Sequence, residues 1–157
     1  TLRVDFPYRL AGKKFPDKAP VLIECVKSAV REFAKQLQCD TEQLVIGGRS
    51  MGGRMCTMAA SDEVDPLNVL GIACIGYPLH PPKKPDKLRT EHFGNLHSPL
   101  LFISGTRDEF GTPDELELAW KLLPIQPTVQ MIEKGRHELR GADAQVATLV
   151  AQWLQNL

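Results

Sequence analysis

The run Asn68–Pro78, NVLGIACIGYP, is apolar at nearly every position and no longer than a strand. A strand with one face in water alternates apolar and polar residues, so a continuous apolar run predicts cover on both sheet faces. Leu44–Gly47 and Leu100–Ser104 repeat the pattern on a smaller scale, and Thr128–Ile132 reads as a further strand. Thr1–Pro7, TLRVDFP, reads as a strand stopped by its proline. Helical spacing fills the intervals. After Val21, residues Leu22, Val26, Ala29, Val30, Phe33 and Leu37 recur on one face. Met51–Ala60 has helix-forming composition, Pro113 suits a first helical position with Glu115–Leu123 following, and Val146, Leu149, Val150, Trp153 and Leu154 share a face of the last segment. Tyr8–Pro20 and Pro78–Leu96 read as polar connections. Strands alternating with helices predict an α/β chain, a three-layer α/β/α sandwich around a mainly parallel sheet. Without repeats, linkers or low-complexity tracts, residues 1–157 form one domain.

A chain of 157 residues can bury about two-thirds of its unfolded surface. Lys and Arg balance Asp and Glu at 19 each, which argues against a nucleic-acid or anionic-membrane partner. No apolar run spans a bilayer. Cys25, Cys39, Cys56 and Cys74 lack C-x-x-C spacing and read as reduced thiols, which fits a cytoplasmic setting. The sequence opens at Thr1 rather than at a methionine, so it says nothing about a leader.

The stretch LVIGGRSMGGRM, Leu44–Met55, follows a strand and opens a helix. Within it, Gly48-Arg49-Ser50-Met51-Gly52 has the form G-x-S-x-G. In that context the serine sits on a tight, strained turn, and small flanking residues let other backbone come close. A serine hydroxyl is a weak nucleophile at neutral pH and needs a base and a group to orient the base. On open α/β sheets such groups gather past the carboxyl ends of strands. Asp108 follows Leu100–Ser104 through GTRD, and His137 follows Thr128–Ile132 through EKGRH. Serine, acid and histidine thus come in the order this architecture uses. Glu109 and Asp114 lie near enough in sequence to replace Asp108. His80, His92 and His97 lie in the long connection, and only His80, just after Tyr77-Pro78, is placed to reach the cleft. Arg49 and Arg54 flank the turn, as carboxylate ligands or as partners of a neighbouring helix. PPKKPDKLR, Pro81–Arg89, reads as a solvated loop or as a clamp over an anionic substrate.

VIGGRSMGGRM, GIACIGYPLHPPKKPDKLRTEHF, LLFISGTRDEFGT and EKGRHEL together resemble the small α/β-hydrolase family related to dienelactone hydrolases, which takes in bacterial hydrolases and testis-expressed protein 30-like proteins. The resemblance covers nearly the whole chain, and GYPLHPPKKPDKLR carries it more specifically than the serine motif. It implies Ser50 as nucleophile, Asp108 as acid and His137 as base, the Met51 N–H as an oxyanion donor, and no metal or organic cofactor. Two departures stand out. HELRGADAQ after the histidine is short. An opening with strands and a glycine-rich HGAG-like loop, ahead of the segment matching Thr1–Pro7, is missing. The resemblance therefore implies a domain lacking its N-terminal strands: a piece of a longer protein, or a chain closed into a smaller sheet. Either way it implies weakened catalysis and strand edges open to pairing with another chain or a second copy.

The expected function is hydrolysis of a small carboxylic ester or related acyl compound through Ser50, Asp108 and His137, with Arg49 and His80 as candidate substrate contacts. The alternative is an interaction module on the same fold, for which ordered serine, acid and base have no use. Nothing in the sequence separates an esterase from a peptidase.

Overall fold

The computed structural model describes residues 1–157. Its centre is a four-stranded, wholly parallel sheet in the order β1-β2-β3-β4: β1 Val45–Arg49, β2 Gly71–Ile75, β3 Leu100–Gly105 and β4 Thr128–Ile132. Ile46 pairs with Ile72, Ile72 with Leu100, and Leu101 with Thr128, so every strand delivers its carboxyl end to one rim. Alternate side chains take opposite faces. Ile46, Ile72, Cys74, Leu100 and Phe102 pack with helices α2 (Ala19–Leu37), α3 (Met51–Ala60) and α4 (Pro113–Trp120). Ala73, Leu101, Ile103 and Ile132 pack with Val146 and Trp153 of α5 (Asp143–Leu154). The expected three layers are present, with most of the helical mass on one side.

β3 is buried along its whole length, as its apolar sequence requires. β1 is the edge, and Gly47 at its middle is exposed. Burial at Asn68–Pro78 is as expected, but only Gly71–Ile75 pairs as strand. α4 stops at Trp120, and Lys121–Leu123 turns away.

Thr1–Pro7 is not a strand. Residues 1–6 belong to no sheet, and Pro7 opens the single helical turn α1, Pro7–Leu10. A strand exists through its ladder partners, and this segment has none; proline at the first helical position then favours the turn. Leu2, Val4 and Phe6 instead line an apolar recess of about 660 Å³ along the outer side of β1, shared with Val26, Val30 and Phe33 of α2. No helix is long and apolar enough to cross a membrane.

Candidate active site

Ser50 stands between β1 and α3 with φ 52° and ψ −120°, a conformation non-glycine residues avoid. The turn closes tightly around it. A Cβ on Gly48 would lie 2.6 Å from the carbonyl carbon of Gly52, and one on Gly53 would lie 2.7 Å from the Gly48 oxygen. A Cβ on Gly52 would meet nothing within 4 Å. The steric demand therefore falls on Gly48 and Gly53, not on the second glycine of the G-x-S-x-G reading. The Ser50 N–H donates to the Ile75 carbonyl at 2.8 Å, which fixes the turn to the end of β2.

The loops leaving β3 and β4 are tied together. Thr106 N–H donates to Ile132 O at 3.0 Å, Arg107 N–H to Gly135 O at 2.8 Å, and Lys134 N–H to Thr106 Oγ1 at 2.8 Å. These bonds bring Asp108 and His137 side by side, 3 % and 7 % exposed. His137 Nδ1 lies 2.9 and 3.0 Å from the two Asp108 carboxylate oxygens, and Nε2 lies 2.8 Å from Ser50 Oγ. A carboxylate only accepts, so Nδ1–H donates to Asp108 and the Nε2 lone pair faces the serine hydroxyl. Neither Glu109 nor Asp114 bonds to the ring.

Two contacts were not visible in the sequence. The Phe110 ring stacks on His137 with centroids 4.0 Å apart and an interplanar angle of 29°. The Phe110 N–H also donates to Asp108 Oδ1 at 2.8 Å, so one residue braces both His137 and Asp108. Gly76, at φ 60°, passes so close that a Cβ there would lie 2.9 Å from the His137 carbonyl oxygen. A glycine directly after a buried strand was the available hint for Gly76; for Phe110 there was none.

Arg49 and His80 both have partners within the chain. Arg49 Nη1 donates to Glu138 O at 2.9 Å, and Nη2 lies 3.3 Å from Asp143 Oδ1 at the start of α5. These contacts tie the end of β1 to the chain just after His137, and the exposed ion pair adds little stability. His80 is 5 % exposed. Its Nδ1 lies 2.9 Å from Pro81 O and its Nε2 lies 3.3 Å from Glu115 Oε2. Both ring nitrogens are occupied where α4 begins. His92 Nε2 meets Thr57 Oγ1 at 2.9 Å on α3, with no carboxylate bonded to the ring. Burial first, then the nearby Arg54 charge, pushes its pKa down to about 4. All four cysteines are free; burial pushes the Cys56 thiol up to about 12, so it is inert as a nucleophile. No group of three or more His, Cys, Asp or Glu side chains is arranged to hold a metal ion.

As the first residue of α3, Met51 has no intrahelical acceptor for its N–H. That N–H lies at the positive end of the helix, in the residue directly after Ser50.

A family model for the alpha/beta hydrolase domain matches residues 1–156. The chain belongs to that family. Solved alpha/beta hydrolases share its fold at low identity. A dienelactone hydrolase from Anabaena variabilis superposes with a TM-score of 0.67 at 20% identity, covering 88% of this chain and 61% of that one. A thermophilic esterase from Thermogutta terrifontis, Est2, gives 0.69 at 18% identity, covering 92% and 68%. A monoacylglycerol lipase from Paleococcus ferrophilus gives 0.63 at 13% identity, covering 84% and 74%. The chain thus spans about three-fifths to three-quarters of these alpha/beta hydrolases.

Proposed function

We propose that the protein is a serine hydrolase acting on carboxylic esters or related acyl compounds. One observation carries this reading: Ser50 Oγ, His137 and Asp108 form an unbroken hydrogen-bonded line, 2.8 Å at one end of the imidazole and 2.9 Å at the other. Membership of the alpha/beta hydrolase family and the esterases among its structural neighbours support it.

Ser50 Oγ attacks the acyl carbon while His137 Nε2 takes its proton. The imidazolium gives that proton to the leaving group as the carbon–oxygen bond breaks. Asp108 keeps Nδ1 protonated and stabilises the charged ring. The Met51 N–H donates to the carbonyl oxygen as it becomes negative. Water, deprotonated in turn by His137, then releases the acid and restores Ser50.

The test is covalent labelling by an uncharged fluorophosphonate, located by peptide mass spectrometry. Modification of Ser50, absent in Ser50→Ala, supports a hydrolase. A properly folded chain that takes up no label, and cleaves neither nitrophenyl acetate nor butyrate, favours the interaction-module reading.

A further inference from the structure

Two half-buried arginines, Arg54 one turn after Ser50 and Arg89 against the segment leaving β2, have no carboxylate partner. Arg54 lies one turn into α3, and its N–H donates to Ser50 O at 3.2 Å. Helical side chains lean back toward the helix N-terminus, so Arg54 extends toward the rim that carries Ser50. Its Nε is buried and has no hydrogen-bond partner.

Arg89 arrives from the long connection. Its N–H donates to Leu79 O at 2.8 Å and its Nη1 to Pro78 O at 3.2 Å, while its own carbonyl accepts from the Tyr77 hydroxyl at 2.7 Å. Tyr77–Leu79 is the segment leaving β2, the strand whose end anchors Ser50. His92, three residues after Arg89, meets Thr57, three residues after Arg54, at 2.9 Å, so the Arg89 segment packs on α3 beside Arg54. Burial first, then the Arg54 charge, holds the Arg89 pKa down. The carboxylate that acts on Arg89 is Glu91, which is exposed and pairs with neither arginine.

Apart from these two arginines, Lys27 is the one Lys or Arg that is not exposed, and it is paired. Lys27 meets Asp62 and Asp65 at 3.2 and 3.4 Å, and Arg31 meets Asp65. Arg54 is half-buried, and leaving its buried Nε unpaired is costly, so this exception points to a negative group that comes from outside. Lys83, Lys84 and Lys87, exposed on the loop before Arg89, add positive potential at the approach.

We propose that Arg54 and Arg89 form an anion subsite, taking a carboxylate or phosphate at the far end of the acyl substrate while Ser50 attacks its carbonyl. Planar guanidinium groups suit such oxygens, which they bind in pairs. The proposal rests on Ser50 as nucleophile, so its test reads binding and turnover separately.

Binding is measured by NMR titration of the Ser50→Ala chain with adipate and, separately, inorganic phosphate. Saturable binding of either anion is expected, weakened tenfold or more in Arg89→Gln, partly retained in Arg89→Lys, and falling with added salt. The better-bound anion identifies the group. Circular dichroism checks that each variant folds, and Arg54→Lys provides a second probe that keeps the charge. Turnover compares mono(4-nitrophenyl) adipate with 4-nitrophenyl hexanoate. A tenfold or larger preference for the charged ester is expected, shrinking toward equality in Arg89→Gln. The subsite is overturned if neither anion binds saturably, if binding ignores Arg89→Gln in a folded chain, or if both esters are cleaved equally. Anion binding without labelling or turnover would leave the subsite standing and remove the hydrolase reading.

Discussion

Three histidines in this molecule each sit against a hydroxyl or a carboxylate, and only His137 has both. His137 links Asp108 on one nitrogen to Ser50 on the other. At His80 the parts are present in the wrong order: Glu115 Oε2 meets the imidazole at 3.3 Å, but Thr112 Oγ1 donates to that same carboxylate at 2.8 Å. The hydroxyl proton is spent on the acid, and the base has no nucleophile. His92 has a hydroxyl from Thr57 but no carboxylate, and the Arg54 charge beside it opposes protonation. Composition of a cluster therefore says little about catalysis; the sequence of donors and acceptors through the ring decides it.

The largest effect that can break this comparison is removal of the ends of the His137 line. Ser50→Ala or His137→Ala should lower ester turnover by about 10⁴–10⁶-fold, whereas His80→Gln should leave fluorophosphonate labelling of Ser50 within a few-fold. Equal losses in His80→Gln and His137→Ala would erase the distinction. Asp108→Asn should follow, at about 10⁴-fold in kcat, because an amide permits the wrong tautomer. Glu109→Gln is its control.

His92 sharpens the contrast through pH. Its folded pKa, about 4, lies below the ordinary 6.5, so the unfolded chain binds more protons between those values. The stability from burying the neutral ring is complete above pH 6.5 and is lost as pH falls toward 4, amounting to up to about 3 kcal/mol. Arg54 and Thr57 face this ring; the Arg54 charge favours its neutral form, while Glu91 acts the other way. Urea unfolding of the parent and of His92→Gln from pH 7 to 4 should give curves that differ most in this window.

Phe110→Ala keeps the backbone N–H to Asp108 and removes only the stacked ring. A looser imidazole should cost roughly tenfold in kcat, with KM little changed. The smallest effect belongs to Glu115→Gln. Thr112 and Glu115 form a reciprocal cap at the start of α4, and weakening it should lower stability by about 1 kcal/mol in thermal unfolding, without loss of labelling.

The sequence by itself determined the alternation of strands and helices, because a covered strand and an amphipathic helix write their periods into neighbouring residues. Thr128–Ile132 and Met51–Ala60 match their elements at both ends for this reason. It also determined the elbow at Ser50, whose glycines act within a few residues of one another, and the chain order of Ser50, Asp108 and His137. Tertiary structure decided what depends on distant neighbours. Thr1–Pro7 has the composition of a strand, but a strand needs a partner, and none lies beside it. Asp108 rather than Glu109 meets His137 because the β3 and β4 loops are bonded together, 29 residues apart in sequence. Arg49 turned to Glu138, 89 residues on, and His80 to Glu115, 35 residues on, for the same reason. A side chain's partners are set by which strand ends meet at the rim, and local spacing carries no record of that meeting.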